Sequence, residues 1–101
     1  MTHYFSQQIP ILKALADEER LKIVQMLTCE TMCANSILEC FSMSQPSLSY
    51  HMKILTQCGL VLAERRGGFT MYRANAAALE QVKALMETLL TGSEITGSLG
   101  V

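Results

Sequence analysis

The chain has 101 residues, half of them apolar, with four cysteines and a formal net charge of −1. That length fits one domain with a modest core, for which association of two copies is a natural remedy. No apolar run reaches the roughly 18 residues that span a bilayer, and Met1-Thr2-His3-Tyr4-Phe5-Ser6 lacks a basic stretch leading into an apolar one, so no membrane partner is expected and the protein is read as cytoplasmic with reduced thiols.

In chain order, residues 6–16 read as a helix after an irregular start. Pro10 is tolerated only in a first turn, so the regular part is expected from about Ile9. Asp17 reads as an N-cap, with Glu18 and Glu19 suited to the positive helix end. The helix that follows has Leu21, Val24 and Leu27 at three-residue steps, widened by Ile23, and ends near Thr28. Residues 32–40 form a short helix with Ile37, Leu38 and Phe41 inward. Ser44 caps a further helix over about 45–58, with Pro46 in its first turn and Gly59 as a left-handed C-cap.

From Leu60 the apolar period changes to two. The runs 60–66 and 69–73 flank Gly67-Gly68, a strong signal for a hairpin with a primed turn. A last helix, about 76–91, gathers Leu79, Val82, Leu85, Met86 and Leu89 on one face, and a Gly/Ser/Thr-rich tail over 92–101 is expected to fray. The expectation is a single domain over residues 1–101 with its core at about 9–91. It is mainly α with a two-stranded β-hairpin wing, in the order α-α-α-α-β-β-α, a winged helix-turn-helix.

Two short helices joined by a turn present the second across the surface, where it can enter a major groove of duplex DNA. The charge distribution agrees. Between Ser47 and Asn75 lie four bases and one acid, against four bases and eight acids in the rest. A local basic patch is what phosphate binding requires. At 100° per residue, Leu48, Met52 and Leu55 share one face of helix 45–58, opposite Pro46, Ser49, Tyr50, Lys53 and Gln57. Ser49 and Tyr50 can bond base edges and phosphates, Lys53 suits a phosphate, and Gln45 suits bidentate pairing with adenine. A polar outer face is ordinary for any surface helix. The hairpin shifts the balance, because Arg65 and Arg66 stand beside its glycine turn, where a wing can reach a minor groove or the backbone.

The strings Leu15-Ala16-Asp17-Glu18-Glu19-Arg20-Leu21, Ser44-Gln45-Pro46-Ser47-Leu48-Ser49-Tyr50-His51-Met52-Lys53-Ile54-Leu55, Gly59-Leu60-Val61 and Arg66-Gly67-Gly68 resemble the ArsR/SmtB family of bacterial metal-sensing repressors. The likeness runs from about Leu12 to Leu90. It implies a homodimer joined by the first and last helices, bound to double-stranded operator DNA and released by an inducer. It also implies that Gln45, Ser47, Ser49 and Tyr50 are the principal DNA contacts. Tyr50 stands where the family usually has histidine, so base preference is expected to differ. His51 matches the second histidine of that motif, and its place beside the apolar arc favours a positioning or core role.

The family's last-helix metal site is excluded, since residues 76–91 contain neither histidine nor aspartate. Its soft-metal site resembles Cys29-Glu30-Thr31-Met32-Cys33-Ala34-Asn35, but Asn35 occupies the position of a further cysteine. Cys29 and Cys33 are thus candidate ligands for As(III), Sb(III) or another thiophilic ion, with no third ligand identified. Cys40 lies two turns from Cys33, about 10 Å along a helix. Cys58, beside Gly59, reads as a small core residue. A cysteine redox or sulfur switch, or cysteines that only pack, remain open alternatives, as does a protein-interaction module on the same fold. No phosphate loop, paired-carboxylate cleft or HExxH string supports an enzyme.

Overall fold

The computed structural model describes residues 4–92. Its elements are α1 (Tyr4–Leu15), α2 (Glu18–Cys29), β1 (Met32–Cys33), α3 (Ala34–Glu39), α4 (Gln45–Gln57), β2 (Val61–Arg66), β3 (Phe69–Ala74) and α5 (Ala76–Thr91). The fold is thus mainly helical with an antiparallel hairpin wing, as the sequence pattern predicts. The expected tail at 92–101 lies outside the described residues except for Gly92, the left-handed C-cap of α5 at φ 64°.

Three caps fix where helices begin. Asp17 accepts from the Arg20 amide at 3.1 Å, Ser44 from the Ser47 amide at 3.2 Å, and Asn75 from the Ala78 amide at 3.4 Å. Each satisfies one of the free N–H groups of a first turn. Asn75 also donates to the Gly59 carbonyl at 2.8 Å, and its amide bonds the Leu60 carbonyl. One residue therefore closes the base of the wing and starts α5.

Three expectations are corrected. The first helix begins at Tyr4, not near Ile9, and carries Pro10 in its interior. Proline there forfeits one ladder bond, at a cost of about 3 kcal/mol in a free helix. Burial of Ile11 and Ala14 holds α1 against its neighbours, and Ser6, whose carbonyl loses that bond, is exposed. Leu21 is not on the buried stripe of α2. It is 51% exposed, while Ile23, Val24 and Leu27 face inward. Finally, residues 32–33 are not helical: β1 pairs antiparallel with β3, Met32 opposite Tyr72 and Cys33 opposite Met71. The sheet is therefore three-stranded, in the order β1-β3-β2.

The hairpin register runs from Val61 opposite Ala74 to Arg66 opposite Phe69, leaving Gly67-Gly68 as a two-residue turn. Only Gly67 has positive φ, 62°, which is the pattern of a type II′ turn. Ile23, Ile37, Leu55, Leu60 and Val61 are almost wholly buried and join α2, α3, α4 and the base of the wing in one core. Apolar side chains remain uncovered on the two terminal helices: Phe5 and Ile9 on α1, and Met86, Leu89 and Leu90 on α5.

Candidate nucleic-acid interface

Helix α4 divides as its periodicity predicts. Leu48, Met52 and Leu55 are buried, while Gln45, Ser47, Ser49, Tyr50, Lys53 and Gln57 are exposed. Ser47 also accepts the Ser44 hydroxyl proton at 3.0 Å, which ties part of its hydrogen-bonding capacity to the cap. A groove of about 360 Å³ runs between α3, α4 and the wing, with Gln45, Ser49 and Lys53 on one wall and Ala63 and Tyr72 on the other. The structure thus brings three of the candidate contacts to one concave edge and leaves Tyr50 on the open crest of the helix.

The two wing arginines are not equivalent. Side chains alternate across a strand, so Arg65 shares a face with Ala63, the wall of the groove, whereas Arg66 shares the opposite face with Glu64. Arg65 donates to Thr70 Oγ1 at 3.1 Å. Arg66 is paired with the Glu64 carboxylate at 3.2 Å in an exposed ion pair, so it shares its face with an acid. Arg73, opposite Leu62, belongs to the Arg66 face.

The buried histidine on α4 holds the helix in place. His51 is only 8% exposed. Its Nδ1 lies 3.1 Å from an Arg20 guanidinium nitrogen, and its Nε2 lies 3.3 Å from Glu19 Oε1. A guanidinium can only donate, so Nδ1 accepts and the ring proton sits on Nε2, directed at Glu19. The other nitrogens of Arg20 donate to the Ala14 carbonyl at 2.6 Å and the Lys13 carbonyl at 3.4 Å. These carbonyls belong to the last turn of α1, where the regular ladder ends; the Lys13 carbonyl also accepts from the Ala16 amide at 3.2 Å. Arg20 therefore fastens α1 and α2 to α4.

Asp17 completes the joint. Its carboxyl is held below the usual range, first by the bond from the Arg20 amide. Asp17, Glu19 and His51 bring one potential ligand atom each within 4.8 Å of one another, but Arg20 already supplies the positive charge there. Reading the residues one at a time missed this network. The signal was present in the paired strings 15–21 and 44–55, which place Arg20 and His51 in separate helices.

Cys29, Cys33 and Cys40 are spread around the other end of α2, while Cys58 lies on the Arg20 side. Cys33 is the N-cap of α3, with its Sγ 3.4 Å from Ser36 Oγ. The Ser36 hydroxyl, aided by the first amides of α3, holds the thiol below its ordinary pKa. Cys33 opens onto a hollow beneath the wing tip, beside Asn35 and Phe69. Cys29 lines a different hollow, together with Cys40. Cys29 and Cys33, the expected pair, thus border different hollows, and among the described residues no three thiols converge as As(III) requires. Cys58 is half-buried and donates to the Leu55 carbonyl at 3.5 Å, in keeping with a packing role.

Comparison with known proteins places these features. The family described as "Bacterial regulatory protein, arsR family" matches residues 17–62. The arsenical resistance operon repressor of Staphylococcus xylosus is 38% identical over 84 residues, covering 83% of this chain and 81% of that protein. The structure of an ArsR-like transcriptional regulator from Rhodococcus sp. RHA1 superposes with a TM-score of 0.83 at 26% identity, over 99% of this chain and 90% of the other. A homodimeric winged helix-turn-helix DNA-binding domain from Mycobacterium bovis gives a TM-score of 0.72 at 25% identity, over 92% and 90%.

Proposed function

The chain belongs to the ArsR family of bacterial DNA-binding transcriptional regulators, and we propose that it acts as a dimeric, sequence-specific repressor that reads operator DNA with α4 and the wing. The observation that carries this reading is the groove edged by Gln45, Ser49 and Lys53, with Arg65 on the facing side of the wing. Gln45, Ser49 and Tyr50 supply base contacts, while Ser47 and Lys53 bind the phosphate backbone. Arg65 reaches the flanking backbone or minor groove, and Arg66 contributes less because Glu64 holds it.

Dimerisation through α1 and α5 accounts for the uncovered Phe5, Ile9, Met86, Leu89 and Leu90. Two copies of a basic face on a slightly acidic chain double the phosphate contacts that each copy offers. The test is selection from a randomised duplex library. Wild type enriches a two-fold symmetric site, and Ser49→Ala or Tyr50→Ala enriches a different one. Identical enriched sites from all three proteins would remove those side chains from the readout.

Release by a thiophilic inducer forms the second part of the proposal. The staphylococcal relative is named for arsenical resistance, and Cys29 and Cys33 are the thiols of the string that resembles the family's soft-metal site. Two thiols do not make the three-coordinate sulfur site preferred by As(III) or Sb(III), so Cys29 and Cys33 need a third donor. The measurement is As(III)-dependent release of a bound operator by reduced protein. Wild type lets go and Cys33→Ser stays bound. An equal response of both would remove Cys33 from sensing.

A further inference from the structure

Cys29 ends α2 and Cys40 is the C-cap of α3. They are eleven residues apart in the chain, yet they line one surface hollow of about 280 Å³. Its remaining walls are Met26, Met32, Gln25 and Glu30. Four of the six lining residues therefore carry sulfur, two as thiols and two as thioethers. Cys29 and Cys40 are both exposed and free, so neither is committed to the core. The Cys40 thiol donates to the Ser36 carbonyl at 3.5 Å, a weak bond that a stronger sulfur partner can replace.

We propose that this hollow is a site for a soft monovalent cation of the Cu(I) type, held by the Cys29 and Cys40 thiolates with Met32 and Met26 as thioether neighbours. Thiolate and thioether donors select Cu(I) over the hard cations. Two thiolates also suffice for Cu(I), whereas the three that As(III) requires are not gathered here. Binding releases the two thiol protons to solvent, leaves the metal's oxidation state unchanged and forms two sulfur–metal bonds. The carboxylate of Glu30 borders the hollow and adds negative charge beside the cation. This site goes beyond the inducer reading above, because it pairs Cys29 with Cys40 rather than with Cys33. It also lies against the reading apparatus: Met32 pairs with Tyr72 of β3, and Tyr72 lines the groove beside α4.

The test is anaerobic titration of the reduced full chain with Cu(I) supplied as its bicinchoninate complex, whose colour reports transfer of the metal. Wild type takes one ion per chain. Cys29→Ser and Cys40→Ser each weaken binding at least about tenfold, Met32→Leu weakens it less, and Cys33→Ser leaves it unchanged. A second readout needs no variant. Cu(I) shields Cys29 and Cys40 from alkylation in the wild-type protein, while Cys33 and Cys58 react as before. Undiminished binding by Cys40→Ser, or shielding of Cys33 in place of Cys40, would overturn the proposal. Because Cys33→Ser abolishes the As(III) response and spares Cu(I), while Cys40→Ser does the reverse, failure of one reading is distinguishable from failure of the other.

Discussion

The two ends of α2 are built on opposite terms. At the N-terminal end, Asp17, Glu19, Arg20 and His51 satisfy one another and the last carbonyls of α1, so three helices meet in a joint of fixed geometry. At the C-terminal end, α2 runs into exposed thiols, a two-residue strand and a six-residue helix around an open hollow. The first end holds α4 at a set angle to the core. The second leaves α3, the other helix of the helix-turn-helix, supported by little besides Ile37 and half-buried neighbours. A regulator needs both: a rigid reading element, and a nearby element whose position a ligand can change.

That contrast can be broken at its stiff end first. Arg20→Ala removes the donors to Ala14, Lys13 and His51 and leaves a buried ring nitrogen unpaired. We expect a loss of roughly 2–3 kcal/mol, which lowers the melting temperature by on the order of 10 °C for a chain this size. A melting temperature equal to wild type would show that the joint does not hold the helices.

The next largest effect belongs to the wing. Arg65→Ala should weaken operator binding by about tenfold and reduce the log-log salt slope by about one per chain. Arg66→Ala should do less on both counts, because it shares its face with Glu64. Equal losses from the two substitutions would mean that the two faces of the ribbon are not distinguished by DNA.

Asp17→Ala should cost about 1 kcal/mol at neutral pH through the lost cap. The Asp17 carboxyl titrates below its ordinary value in the folded chain. Its contribution is therefore complete above the usual carboxylate pKa and disappears as the pH falls through the lowered folded value. The variant's deficit relative to wild type should shrink in that acid range, and a deficit independent of pH would rule out the charged cap. The smallest effect is expected at the loose end, where Cys40→Ala should change stability by no more than about 0.5 kcal/mol. A loss comparable to that of Arg20→Ala would erase the contrast between the two ends.

The legible parts of the sequence were those with strong local chemistry. Ser44, Gly59 and Gly67-Gly68 marked the limits of α4 and the hairpin, because caps and primed turns demand particular residues at particular places. The start of α1 was misread because tertiary packing outweighs the local penalty of Pro10. β1 escaped notice because two residues carry no period, and its existence depends on β3, some forty residues later. The exposed polar face of α4 was visible from its 100° spacing alone. The difference between Arg65 and Arg66 was not, since it depends on which side of the ribbon meets the groove. The surroundings of the thiols were likewise hidden: Cys29 is closer in sequence to Cys33, but the hollow it lines is shared with Cys40.

The most direct test of DNA reading by α4 and the wing is the affinity of the reduced protein for its enriched operator, measured across a range of salt concentrations. We expect log affinity to fall linearly with log salt, with a slope of about −0.9 for each phosphate neutralised, and Lys53→Ala combined with Arg65→Ala to flatten it. Binding that ignores salt, or a double variant with the wild-type slope, would contradict DNA reading by this surface and favour a protein partner on the same fold.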